Sequence, residues 1–158
     1  MSKADYRKRP PRLDQIFSKY DTALYFVTMV TWQRQPLLAC DVVHLTFRAH
    51  AMKQELLGVA VGRYVIMPDH MHFFVRIGPA QTVSESVKQL KQAVTKALRV
   101  NQPALRVWQP GFFDHLLRSG ESYGLKWSYV RENPVRAGLV ALADDWPFQG
   151  ELVRIERE

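Results

Sequence analysis

Apolar positions along the chain change their spacing from two residues to three and four and back again, and each change marks an element. The stretch "ALYFVTMVTW" (23 to 32) is rich in aromatic and β-branched residues and reads as a first strand. After the "RQPL" break, Asp41 is placed to cap a helix on which Val42, Leu45, Ala49, Met52 and Leu56 recur at three and four, and Gly58 is placed to close it. "VAVGRYVIM" then gives a second strand, Pro68 and Asp69 a tight turn, and "HMHFFVRI" a third strand, so the two should form a hairpin. Beyond Gly78-Pro79, residues Val83, Val87, Leu90, Val94 and Leu98 line one face of a second helix, with Lys88, Lys91 and Lys96 on the other. "GFFDHLLRS" supplies a fourth strand, and a third helix runs from about Glu121 to Asn133, where Pro134 should end it. "NPVRAG" turns the chain toward a last segment, "DDWPF".

The order is βαββαβ, which predicts the α+β ferredoxin-like pattern. In it an antiparallel sheet carries two helices on one face, leaves the other available, and here gains a C-terminal helix bearing a tyrosine. With no internal repeat and no linker, residues 1–158 read as a single domain. A basic, proline-punctuated arm (about 1 to 15) precedes it and a short charged tail (about 149 to 158) follows it.

Composition narrows the class. At 158 residues and 47% hydrophobic content the chain can bury a proper core. No apolar run approaches the roughly 18 to 20 residues of a membrane span, and "MSKADYRKRPPRLDQ" has no secretory stretch, so the expectation is a cytoplasmic protein without membrane contact. The single cysteine, Cys40, excludes an internal disulfide framework and reads as a small packing thiol. A formal net charge of +7 points toward polyanions, because Lys and Arg displace the counterions condensed on nucleic acid.

Candidate chemistry begins at "MPDHMH". His70 and His72 are two apart on a strand, hence on one face, where two imidazoles can converge on one ion or can simply be hydrogen-bonded residues of a half-buried surface. "SYVRENP" adds Tyr129 and Asn133, four apart and therefore one helical turn from each other. Such a pair can join a nucleophile to a further metal ligand, or the tyrosine can be a packing residue.

Taken together, "MPDHMH", "WQPGFFDH" and "YVRENPVRAG" resemble the motifs of the single-tyrosine HUH transposases, in particular the REP-associated tyrosine transposases and their insertion-sequence relatives. The likeness runs from about Leu24 to Phe148. It implies a metal-dependent enzyme that cuts and rejoins single-stranded DNA at hairpin, REP-like palindromic elements. It further implies Tyr129 as the catalytic nucleophile forming a 5′-phosphotyrosine, His70 and His72 as metal ligands, Asn133 as a third, and Mg²⁺ or Mn²⁺ as cofactor. Met71 fits the bulky position between the histidines. Insertion-sequence members often carry Gln where Asn133 stands, and Asn is closer to the REP-associated branch. Relatives act as monomers or as homodimers.

For single-stranded or hairpin DNA, Lys88, Lys91, Arg118, Arg131 and Arg136 are the candidate phosphate contacts, and Trp108, Phe112 or Trp127 the candidate stacking platforms. His115 receives no role, and His44 and His50 read as ordinary surface or boundary residues. Two alternatives remain at this level: a catalytically inactive hairpin-DNA-binding regulator on the same fold, and a histidine-metal or small-molecule module unrelated to DNA.

Overall fold

The computed structural model of the chain describes residues 23–118 and 123–155. The expected basic arm, Glu121 and the end of the expected tail lie outside the described residues. The elements are β1 (Ala23–Val30), α1 (Asp41–Glu55), β2 (Val59–Ile66), β3 (His70–Ile77), α2 (Val83–Leu98), β4 (Phe113–Leu117), α3 (Tyr123–Val130), α4 (Asn133–Arg136) and β5 (Gln149–Glu151). The strands form one antiparallel sheet in the order β4-β1-β3-β2-β5. This is the expected ferredoxin-like sheet, extended at the β2 edge by one short strand. No helix among the described residues is long and apolar enough to cross a membrane.

Register decides which residues share a face. Tyr25 lies opposite Val75, Val27 opposite Phe73 and Met29 opposite Met71, and this row packs with Val43 and Phe47 of α1 and with Val83, Val87, Leu90 and Val94 of α2 in the main core. The intervening row pairs Phe26 with Phe74, Thr28 with His72 and Val30 with His70, and so faces the other way. On that face Tyr123 packs with Leu24, Phe74 and Leu117, with Trp127 beside them, while Val130 packs with Val65, Met67 and Trp146. The spacing 123, 127, 130 is one helical stripe, and it docks α3 over the row that carries the histidines.

The β2–β3 hairpin forms as expected, with the Met67 N–H donating to the His70 carbonyl at 2.8 Å across Pro68 and Asp69. At the end of α1, Gly58 has φ +84°, a backbone state that glycine adopts without a Cβ penalty.

Five local expectations are corrected. β1 ends at Val30, and Trp32 opens a 3₁₀ turn over Trp32–Arg34. Cys40, not Asp41, occupies the N-cap position of α1, with no side-chain cap, and Asp41 sits in the first turn, where its charge opposes the helix dipole's positive end favourably. The buried stripe of α1 is Val43, Phe47, Ala51 and Gln54, whereas Val42, Leu45, Met52 and Leu56 are exposed. The helix expected to reach Asn133 stops at Val130, and a new turn starts at Asn133, with Pro134 in its first positions. Proline has no N–H for the carbonyl four residues back, so the ladder breaks there, while its fixed φ suits a helix start. Finally, residues 149–151, expected in the tail, are β5, which pairs Gln149, Gly150 and Glu151 with Val65, Tyr64 and Arg63.

Candidate active site

His70 begins β3 and His72 follows two residues later on the face away from α1 and α2. Their ring centroids are 4.8 Å apart. Each imidazole is held through Nδ1. His70 Nδ1 lies 2.7 Å from an Asp69 carboxylate oxygen, and His72 Nδ1 lies 2.8 Å from the Thr28 hydroxyl on the neighbouring strand. The opposite ring nitrogens, both Nε2, are the atoms this arrangement leaves for a ligand. The His72 ring also stacks on Phe26, with centroids 5.1 Å apart and planes 20° from parallel.

Burial, the charge on His70, and the cations Lys126 and Arg136 push the His72 pKa down to about 3. His72 is therefore a neutral imidazole at physiological pH, the protonation state that a metal ligand requires. Burial also works on Asp69, in the direction of the neutral acid. The hydrogen bond and charge of His70, with the charge of Arg34, outweigh it and hold the Asp69 pKa below the usual carboxylate range.

Tyr129 stands in the last turn of α3 and is 67% exposed, and Asn133 opens α4 after the break. Arg136 joins them: its guanidinium carbon sits 4.1 Å from the Tyr129 ring centroid, and a guanidinium N–H donates to Asn133 Oδ1 at 2.7 Å. The Arg136 charge also contributes to lowering the His72 pKa. The break at Pro134 thus leaves Tyr129 and Asn133 connected through a third side chain rather than stacked on one continuous helix.

The donor set suits a divalent cation in part. Two neighbouring imidazoles each leave Nε2 unbonded, and Asn133, which follows α3, offers an amide oxygen with a second lone pair. Among the described residues there is no cluster of three or more His, Cys, Asp and Glu side chains.

Other expected residues are dispersed. Lys88 is exposed on α2, on the opposite side of the sheet from the histidines. Lys91 donates to the Gln109 and Gly111 carbonyls at 3.0 and 2.6 Å, and Trp108 donates from Nε1 to the Lys91 carbonyl, so both tie the 108–111 loop to α2. Arg131 pairs with Asp144, and Arg118 is exposed just past β4. Phe112 belongs to the main core, and Trp127 packs edge-on against Phe74. His44 is not merely a boundary residue, since its Nε2 lies 2.7 Å from the buried Tyr64 hydroxyl, which also accepts from Arg48. Residues not foreseen at the site are Thr28, Asp69, Lys126 and Arg34. Of these, only Asp69 carried a local signal, its place beside His70 in "PDH".

A family model described as "Transposase IS200 like" matches residues 19–127. The REP-associated tyrosine transposase of Escherichia coli (strain K12) is 29% identical over 89 residues, covering 56% of this chain and 52% of that protein. A Haemophilus influenzae protein provisionally given the same name is 26% identical over 137 residues, covering 79% of this chain and 77% of its own length. The chain therefore spans about half the length of the E. coli relative. In fold, the chain is similar to a solved REP-associated tyrosine transposase bound to a REP hairpin, with a TM-score of 0.65 and 24% identity over 81% of this chain and 76% of that one. The family match stops two residues short of Tyr129.

Proposed function

Because the chain belongs to the family of IS200-like transposases, we propose that it cuts and rejoins single-stranded DNA at REP-like hairpins through a 5′-phosphotyrosine bond on Tyr129. The observation that supports this most is one juxtaposition. Two histidines with Nε2 uncommitted lie on the sheet face beneath α3, and Arg136, whose charge lowers the His72 pKa, contacts both Tyr129 and Asn133.

A phenol is a weak nucleophile at neutral pH and needs placement and charge to react. Tyr129 is exposed, so a phosphodiester can approach its hydroxyl. Arg136 holds the ring from one side and supplies positive charge where phosphate oxygens would gather. His70 and His72, through Nε2, would hold a divalent ion, Mg²⁺ or Mn²⁺, with Asn133 Oδ1 as the third protein donor. When bound, such an ion supplies Lewis-acid polarisation of the scissile phosphate. The Tyr129 oxygen forms a bond to phosphorus, the bond to the 3′-oxygen breaks, and the phenolic proton is balanced by the one gained on the departing 3′-hydroxyl. One phosphoester replaces another, so attack by a 3′-hydroxyl on the phosphotyrosine reseals a strand with no nucleotide cofactor.

The test is a denaturing gel of the protein with labelled hairpin-bearing single strands and their duplexes, in Mn²⁺, Mg²⁺ or chelator. The expected result is a covalent protein–DNA band that needs metal and a single strand and is absent from Tyr129→Phe. Hairpin binding without a band in any metal would instead make the chain a regulatory binder.

A further inference from the structure

We propose that Arg34 and Asp69 are positioning residues for His70, fixing the imidazole with its proton on Nδ1 so that the Nε2 lone pair points to the metal. This rests on the reading of His70 as a metal ligand, and it explains a feature that the reaction alone does not.

An ionised carboxylate can only accept, so at 2.7 Å from an Asp69 oxygen the Nδ1 of His70 must be the donor. In the neutral ring that leaves Nε2 as the lone pair. Thr28, by contrast, is a hydroxyl that can donate or accept, so His72 is oriented by its partner without being committed to one tautomer by it. The carboxylate is itself held. Arg34 Nε lies 3.0 Å from the other Asp69 oxygen, and Thr31 donates to the Asp69 carbonyl from its backbone N–H at 3.0 Å and from its hydroxyl at 3.1 Å. Thr31 is fully buried.

The loop that presents Arg34 is strained. Gln33 and Arg34 have φ of 54° and 55°, and non-glycine side chains rarely take that left-handed region, let alone twice in succession. Surrounding contacts hold them there. The single Thr31 hydroxyl proton is shared between the Asp69 and Gln35 carbonyls, the Gln35 amide donates to the Trp32 carbonyl, and the Arg106 guanidinium sits 3.4 Å from the Trp32 ring centroid. A surface arginine serving only solubility would not need two unfavourable backbone states. One that must reach Asp69 from a turn packed against the β2–β3 hairpin has a reason for them. The chain of contacts is thus Arg34 to Asp69 to His70, a second layer of the kind that sets ring orientation and basicity in metal sites.

The experiment uses the chelator-treated full chain without DNA. Long-range ¹H–¹⁵N spectra of the histidine rings give the tautomer of His70, and Mn²⁺ titration followed by electron paramagnetic resonance gives affinity, for the wild type, Asp69→Asn, Arg34→Ala, Arg34→Lys and His70→Ala. The expected wild-type tautomer carries the proton on Nδ1. Asp69→Asn should lose that preference and weaken Mn²⁺ binding by roughly 10- to 100-fold. Arg34→Ala should weaken it less, and Arg34→Lys should recover part of the loss. With no DNA present, an arginine that merely contacts phosphate would leave these readouts unchanged. A wild-type His70 protonated on Nε2, or Mn²⁺ affinity unchanged in well-folded Asp69→Asn and Arg34→Ala, would overturn the proposal. If Asp69→Asn fails to fold, the Arg34 pair decides. His70→Ala binding Mn²⁺ as tightly as the wild type would sink the ligand reading itself, while the tautomer would still decide what orients the ring.

Discussion

His72 shows how one side chain couples the site to stability. Its folded pKa of about 3 lies below the ordinary value of 6.5, so the native state excludes a proton that the unfolded chain accepts. The neutral ring's contribution is fully present above pH 6.5 and is lost as pH falls toward 3, at up to about 1.4 kcal/mol per pH unit. In urea denaturation of metal-free protein, the wild type should therefore lose stability between pH 7 and pH 4 more steeply than His72→Asn. Equal slopes would show that His72 takes up its proton in the folded state as readily as in the unfolded one. Residue identities of this kind were legible in the chain, because a period of two places His70 and His72 on one face whatever the tertiary detail. Their supports were not. Thr28 meets His72 across 44 residues of sequence and Arg34 meets Asp69 across 35, and no local spacing encodes either contact.

At the scale of elements, periodicity found α1, α2, α3 and the first four strands, read the short α4 as a turn, and could not always choose a face. Helix α1 carries two apolar stripes, and both satisfy the three-and-four rule. What selects Val43, Phe47, Ala51 and Gln54 is the partner surface: Phe47 packs against Tyr64 and Phe73 at centroid distances of 4.6 and 5.7 Å. His44 and Arg48 reach the Tyr64 hydroxyl from the same helix. Phe47→Ala should accordingly cost about 3 to 5 kcal/mol in equilibrium unfolding, and Leu45→Ala, on the exposed stripe, less than about 0.5 kcal/mol. The reverse ranking would mean that the helix is rotated from the orientation described. Docking of α3 has its own sensitive point at Gly62, beside the irregularity in β2. A Cβ there would lie 2.5 Å from the Tyr123 hydroxyl, which accepts from the Arg63 N–H. Gly62→Ala should displace the start of α3 and reduce Tyr129-dependent adduct formation, with hairpin affinity less affected. Adduct yield that stays at the wild-type level would show that the tyrosine's placement is independent of Tyr123. Strand β5 escaped the sequence because three residues that include a glycine carry no alternation.

The whole molecule divides its labour between the two faces of one sheet, and this bears on where its net charge of +7 acts. The layer of α1 and α2 closes the main core, whereas α3 and the histidines occupy the other side. If DNA lies against the histidine face, charge on that face must dominate the electrostatic part of binding, and charge on the helical layer should add little at ordinary salt, where screening acts over about 8 Å. Lys126 is the informative residue on the histidine face, because its ammonium lies 4.9 Å from the Phe26 ring centroid and acts on His72. Lys88 is its counterpart on the far side, exposed on α2. Plotting log affinity for a hairpin-bearing single strand against log salt, Lys126→Gln should reduce the magnitude of the slope by about 0.7, the value of one phosphate contact on a single strand. Lys88→Gln should leave the slope and the affinity near wild type. The opposite pattern would place the nucleic acid on the α1–α2 layer, separate binding from the histidine site, and favour a binder over a strand transferase.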